Sequence, residues 1–564
     1  MSYIVLHVLD TLFPHLLLAD VCRYPYQLIR NGFRNMPGKI TVGGQQSLIA
    51  PPSKQDAELQ AKGGQRFRVA GRLRLITSFS SSISKPGKAV KQNVDKLSTQ
   101  QLGKKIGLRR SNALRYSRLP SIHKRSAPGS INTAARPFQK AVSQIAEKFA
   151  SKGTVPKELI TTQRNAIEKV TIGGDEIFGS FGSVIRGAKE EVLIQTFSWE
   201  PNSPGVQEHI IPAIQALQAE AKRHPDSFSL PLKIRILVNQ ARGPAAKFMK
   251  RKKGNRAPTI ENLLPNLGNI DKNLLNIKGG VHVNKLTDGL HSKTVIADGQ
   301  RVAITGANVQ KRNHATDERS GLAAYDTGAV LRGEVGLSLR AGFEHNWERS
   351  LDAQDQPNKK LRRLSVSPDF DNDSTLTETP ITVLTRKANI DPFNRSLASP
   401  QAQGFLTAIQ KAKNRISIQS PNLNNPVLIK ALVAAAQRGV KVELLLSKRF
   451  NEQRESALGA GGTNAKAVKK LKSLSKNSSN LDIRWYVAPG GNEPVEENRL
   501  GDGASHAKFA SFDDHMVVIG SANQDNQSWY YADETSLAIA GRDNTVYVRD
   551  RLFQPAFDRS VAAD

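Results

Sequence analysis

The sequence predicts an α/β protein of two similar halves, each a mixed, mainly parallel sheet with helices on both faces. A basic extension of low order precedes them. Three observations lead there. From about Val170 the chain alternates short apolar strands with helix-length connections, the pattern of parallel strands joined by crossovers. The same order of elements then comes round again. Finally, a segment of 18 residues, His291–Asn308, recurs as His506–Asn523 with its polar residues at the same spacing.

Charge sets the extension apart. The 564 residues carry a formal net charge of +31, but 28 Lys and Arg against 7 Asp and Glu lie in residues 1–165. Residues 22–165 are read as a basic extension whose Ser, Gly, Lys and Arg runs bury too little apolar surface to fold alone. Nucleic acid and anionic lipid headgroups are both eligible partners for it. Residues 1–21 are apolar but interrupted by Asp10, Pro14 and Asp20, with no basic residue in front. That pattern is not a Sec signal and reads either as an interfacial, membrane-docking segment or as a packed or chaperone-bound one. No run of about 20 apolar residues is present, so an integral membrane protein is not expected. The single cysteine, Cys22, excludes an internal disulfide framework.

In the first half, residues 166–352, Glu190–Phe197 reads as a buried strand, Gly205–His224 as a helix and Leu232–Val238 as the next strand. An exposed linker is expected at 353–377, where Lys359-Lys-Leu-Arg-Arg363 precedes a polar stretch. The second half, 378–564, repeats the order: helix at Phe405–Lys413, strand at Arg415–Ser420, helix at Asn425–Arg438 and strand at Lys441–Leu446.

In both recurring segments His to Lys is two positions, His to Asp seven and His to Asn seventeen. His and Lys two apart on a strand share a face. Asp298 and Asp513 fall where a tight hairpin turns and are read as structural. The returning strand brings Asn308 or Asn523 beside the His and Lys. Face to face, the halves offer His291, Lys293 and Asn308 with His506, Lys508 and Asn523 around one pocket. Ammonium and amide groups can hold a phosphoryl group and stabilise its oxygens in the transition state. One imidazole can attack phosphorus while the other protonates the departing oxygen. No cofactor and no metal are required by this set, and no carboxylate cluster of the Mg²⁺ or Ca²⁺ kind is visible.

These residues resemble the phospholipase D superfamily, whose signature HxKx4Dx6GSxN occurs twice in single-chain members. His506, Lys508, Asp513, Gly520, Ser521 and Asn523 fit throughout; the first copy departs only at Thr305-Gly306. The resemblance covers roughly Val170–Val561 and implies two pseudo-twofold-related phospholipase D-like domains forming a monomeric catalytic unit. It further implies an acid after each motif that orients the active His. Asp326 and Glu534 are selected, with Asp533 the near rival, and His291 is taken as nucleophile and His506 as general acid. Asn523–Glu534 looks like a stretch of bacterial and fungal lipid hydrolases of this family. Trp529, Tyr530 and Tyr531 there either line a substrate entrance or pack beneath a loop.

The activity this implies first is phospholipid hydrolysis to phosphatidic acid and a headgroup alcohol through a phosphohistidine, on an anionic bilayer. A peripheral membrane-associated enzyme is expected, and export as an effector without a Sec signal is compatible with it. The alternatives are a nuclease of the same superfamily and a cardiolipin-synthase-like phosphatidyltransferase, a branch that usually carries N-terminal spanning helices. A non-catalytic binding protein is disfavoured because every His, Lys and Asn is kept.

Overall fold

A computed structural model describes residues 135–239, 258–284, 287–314, 323–354, 356–366, 368–457, 459–476, 478–496 and 503–563. The expected docking segment and most of the basic extension lie outside these residues.

The strands of the first half are β1 (Thr161–Ile172), β2 (Glu191–Thr196), β3 (Leu232–Asn239), β4 (Leu275–His282), β5 (Gly289–Leu290), β6 (Thr294–Ala297), β7 (Arg301–Thr305) and β8 (Thr327–Gly333). Those of the second are β9 (Thr377–Arg386), β10 (Arg415–Ser420), β11 (Lys441–Leu446), β12 (Leu481–Trp485), β13 (Phe509–Phe512), β14 (Met516–Gly520), β15 (Ala532–Ala540) and β16 (Val561–Ala562). They form one continuous sheet in the order β16-β12-β11-β10-β13-β14-β15-β9-β1-β8-β7-β6-β2-β3-β4, with β5 added to β15. Read outward from the middle, the two sides match strand for strand for seven strands, as far as β12 and β4, and β16 extends the second half alone. The seam is the antiparallel pair β1–β9, with Thr161 opposite Thr382 and Asn165 opposite Thr377, so a pseudo-twofold relates the halves.

Parallel pairing is concentrated in β2-β3-β4 and β10-β11-β12, the strands joined by helical crossovers. The motif hairpins β6-β7 and β13-β14 bring antiparallel pairing to the middle of each half. Helices form where the caps demand. The Asn425 side chain accepts from the N–H groups of Val427 and Leu428, and Pro426 opens that helix with a preset φ. Ser399 and Thr463 cap the helices Pro400–Lys411 and Asn464–Ser475 in the same way.

Buried apolar side chains form two cores. One lies beneath the outer part of the first half, around Phe178, Ile194 and Ile236. The other runs from Leu193 and Ile304 under the seam to Ile418, Leu444 and Phe512. The seam is therefore interior to a core and not a hinge between separate sheets.

One expected boundary is corrected. The sequence predicts low order through residue 165, but Ala135–Lys148 is a helix, labelled α1, and β1 begins at Thr161. Phe138, Val142 and Ala146 lie four apart and are buried, and the Phe138 ring meets Phe512 at 6.4 Å. This apolar stripe outweighs the basic composition around it. The stretch 353–377 runs over the surface, with Asn358 buried within it.

Candidate active site

Each hairpin turns on its motif Asp. Asp298 and Asp513 have φ of 52° and 51°, a left-handed conformation that Asp tolerates better than most residues. Asp298 accepts from the backbone N–H groups of Lys189, Glu190 and Glu191 at 2.7–2.8 Å. Asp513 does so from Lys413, Asn414 and Arg415 at 2.8–3.0 Å. Both carboxylates thus tie the hairpin to the start of the neighbouring strand, β2 or β10, and stand apart from the imidazoles.

The His and Lys of each motif lie on the extended residues just before β6 and β13, one step short of the expected strand. What fixes them comes from the other half. The His291 N–H donates to the Asp533 carbonyl at 3.0 Å, and the His506 N–H donates to that of Tyr325 at 2.8 Å. The residue after each of those carbonyls is the acid. His291 Nδ1 lies 2.8 Å from Glu534 Oε1, and His506 Nδ1 lies 2.9 Å from Asp326 Oδ2. Each carboxylate therefore holds the imidazole of the opposite half, which leaves both Nε2 atoms for chemistry. Asp533 does not compete, because it accepts from Ser292 Oγ at 2.6 Å and from Asn346 Nδ2 at 3.2 Å.

The lysines are buried, with Nζ of Lys293 donating to the His291 carbonyl at 2.5 Å and Nζ of Lys508 to that of His506. Asn308 and Asn523 each bury an Oδ1 without a partner among the described residues. Small residues let the halves close. A Cβ on Gly306 would lie 2.7 Å from Lys508 Cδ and 2.8 Å from Asp326 Oδ1. In the second half, Gly520 meets the 535–536 backbone, and Ser521 donates to Glu534 Oε2.

Electrostatics follow from burial. It brings Lys293 down to about 7 and Lys508 to about 8. Burial also lowers both imidazoles, His506 well below its ordinary value with help from Lys508 and Arg312. Asp326 is pushed up to about 6 by burial, against the pull of Lys508, Arg312 and Lys293. Burial works against ionised Glu534 too, but His291, Lys293 and Ser521 outweigh it and hold its pKa below the usual value.

The structure also brings in residues that the motifs do not name. Phe197 meets the His291 ring edge-on at 5.3 Å, and Phe450 stacks on His506 at 5.9 Å. Asn313 Nδ2 donates to Asp326 Oδ2 at 3.1 Å, and Arg312 is buried beside it. The substrate-entrance reading of Trp529, Tyr530 and Tyr531 is corrected: all three are buried in the core. Trp529 Nε1 donates to Gln524 Oε1 at 3.2 Å, and the Tyr531 hydroxyl donates to the Pro392 carbonyl at 2.7 Å. The apolar rings belong to the core, and the polar tips of Trp529 and Tyr531 find internal acceptors.

A family model described as "Cardiolipin synthase, PLD-like domain" matches residues 405–554. The chain is 25% identical over 440 residues to cardiolipin synthase A of Pseudomonas syringae pv. syringae (strain B728a), covering 76% of each chain. It is 25% identical over 279 residues to cardiolipin synthase A of Pseudomonas entomophila (strain L48), covering 48% of each. Among solved structures, the phosphatidylserine synthase of Haemophilus influenzae Rd KW20 superposes with a TM-score of 0.48 at 13% identity, over 76% of this chain and 92% of that one. Two copies of the His, Lys and Asn set joined across a pseudo-twofold, with a PLD-like domain matched over residues 405–554, are features shared with the phospholipase D superfamily.

Proposed function

We propose that the protein is a phosphatidyltransferase that moves the phosphatidyl group of one phospholipid to the hydroxyl of an acceptor. The likeness to cardiolipin synthase A across 440 residues carries this reading. By that likeness the acceptor is the glycerol headgroup of a second phospholipid. Hydrolysis, which the sequence favours, uses the same groups; a carboxylate behind each imidazole serves water and alcohol alike. The relatives tip the balance toward transfer.

His291, its Nδ1–H donated to Glu534, attacks phosphorus with Nε2. The P–N bond forms as the P–O bond to the departing headgroup breaks, and that oxygen takes the proton from His506 Nε2, which the charge of the bound diester and of Asp326 holds protonated against the effect of burial. Neutral His506 then removes the acceptor's hydroxyl proton while its oxygen displaces His291. The lipid diester is remade, and both imidazoles return to their starting states. Lys293, Lys508, Asn308 and Asn523 hold the phosphoryl oxygens throughout. Ionised Glu534 keeps the His291 lone pair available, and Asp326 steadies the His506 imidazolium.

The test offers phosphatidylglycerol liposomes, with and without ethanol, beside single- and double-stranded DNA. Cardiolipin from liposomes alone and phosphatidylethanol when ethanol is present are expected, both abolished by His291→Ala. Phosphatidic acid as the only product would make the protein a hydrolase. Cut DNA beside intact lipid would make it a nuclease.

A further inference from the structure

Arg312 lies four residues after Asn308, on the turn Lys311–Asn313, and is only 9% exposed. Its Nε is buried without a partner, and among the described residues its guanidinium is in no ion pair and no hydrogen bond. A buried cation without a directly paired anion or acceptor is costly, and arginine in particular cannot shed its proton to escape that cost. Such a group is explained when an anion from outside the chain completes it.

Its place says which anion. The backbone N–H of Ala324 donates to the Arg312 carbonyl at 2.9 Å, two residues ahead of Asp326. The next residue, Asn313, donates its amide to that same Asp326, the carboxylate behind His506. Its charge is among the leading influences on Asp326, His506 and both lysines, but not on His291. The guanidinium therefore sits on the His506 side of the site. The second half has no counterpart: four residues after Asn523 stands neutral Gln527, whose amide donates to the Thr287 carbonyl at 2.7 Å.

In the displacement proposed above, the departing headgroup and the incoming acceptor both occupy the side opposite the nucleophile, next to His506. The reacting phosphoryl group already has two ammonium and two amide groups. We infer that Arg312 binds a second, non-reacting phosphodiester, the one carried by the acceptor lipid, and so selects an anionic acceptor over a neutral alcohol. A guanidinium suits this task because its planar fork meets two phosphate oxygens at once. The inference rests on the transferase reading and names the residue that sets its acceptor specificity.

The experiment compares wild type, Arg312→Gln and Arg312→Lys with a fixed phosphatidylglycerol donor and two acceptors, phosphatidylglycerol and ethanol. Arg312→Gln is expected to lose about 10- to 100-fold more in kcat/KM for transfer to phosphatidylglycerol than for transfer to ethanol. Arg312→Lys, which keeps the charge, should lose less than the glutamine variant. A thermal midpoint close to wild type separates this from misfolding. Equal loss with both acceptors, or no loss with either, overturns the inference. If wild type transfers to neither acceptor, the transferase reading fails instead, and titration with glycerol 3-phosphate decides about Arg312. That phosphate must still raise the melting midpoint of wild type more than that of Arg312→Gln; an equal rise overturns the anion site.

Discussion

The two half-sites share a plan and differ in their surroundings. Glu534 and Asp326 each reach across the seam to the opposite imidazole. Ser521 donates to Glu534, whereas the matching position in the first half is Gly306, and Asp326 Oδ1 has no partner among the described residues. The two carboxylates also differ in their titration: His291, Lys293 and Ser521 hold Glu534 below its usual value, whereas burial pushes Asp326 up to about 6. A duplicated fold supplied two equal imidazoles, and unequal neighbours separate their roles as attacking base and proton donor.

The comparison breaks most sharply at the imidazoles themselves. His291→Ala and His506→Ala should each lower kcat/KM by at least about 10⁴-fold, and the double variant should be hardly worse than either single one. A lipid with a leaving group that needs no proton, such as a p-nitrophenyl ester, separates the two. His506→Ala should then label His291 and accumulate the phosphohistidine, seen by mass spectrometry of the acid-sensitive adduct. Label on His506 in the His291→Ala protein would reverse the assignment.

Smaller effects are expected at the carboxylates, and they should be unequal. Glu534→Gln should cost about 10³-fold and Asp326→Asn about 10²-fold, because Glu534 stands behind the attacking imidazole and stays ionised to lower pH than Asp326. The pH profile carries the same asymmetry. Below about 6 Asp326 gains a proton and ceases to steady the His506 imidazolium, so kcat/KM falls toward acid. Lys293 loses its charge above about 7 and Lys508 above about 8, so affinity for an anionic diester falls toward alkali. A bell with its top between these limits is expected for kcat/KM. For kcat the alkaline limb should lie higher, since a bound diester favours the ammonium forms. Asp326→Asn should erase the acid limb near 6.

At the turns the halves should differ in stability and not in chemistry. Asp298→Ala and Asp513→Ala each strand three backbone N–H groups, at a cost of about 2–4 kcal/mol. Asp513 is the more buried of the two and should show the larger fall in thermal midpoint. Folded protein should keep kcat within a few-fold of wild type.

These contrasts also mark how far the chain could be read before its fold was in view. The spacings of two, seven and seventeen delivered His, Lys, Asn and the turning Asp, because a hairpin converts sequence separation directly into position. The acids lie 18 residues after Asn308 and 11 after Asn523, an unequal spacing from which no reach could be read. That each serves the opposite half is a tertiary fact of the seam. Phe197 and Phe450 follow strands without any pattern, and Arg312 is one basic residue among many. Trp529, Tyr530 and Tyr531 are ambiguous because a core and an entrance ask for the same rings. The α1 helix was legible at Phe138, Val142 and Ala146, but the charge around it masked the stripe.

The finest probe makes the two halves alike. Ser521→Ala removes the hydroxyl that donates to Glu534 and leaves Cβ in place, so the second carboxylate comes to resemble the first. It also takes an acceptor from the Thr535 N–H, 3.1 Å away, which should lower stability by about 1 kcal/mol. With one fewer donor on the ionised form, the pKa of Glu534 must rise toward that of Asp326. At pH 7 both acids remain largely ionised, so kcat/KM should change by less than about threefold. On the acid side the change is in shape: two carboxylates titrating together should steepen the limb of log kcat/KM from a slope of one toward two. A limb that keeps its unit slope would mean that His291 and Lys293 alone hold Glu534 ionised, and that the difference between the halves does not come from Ser521.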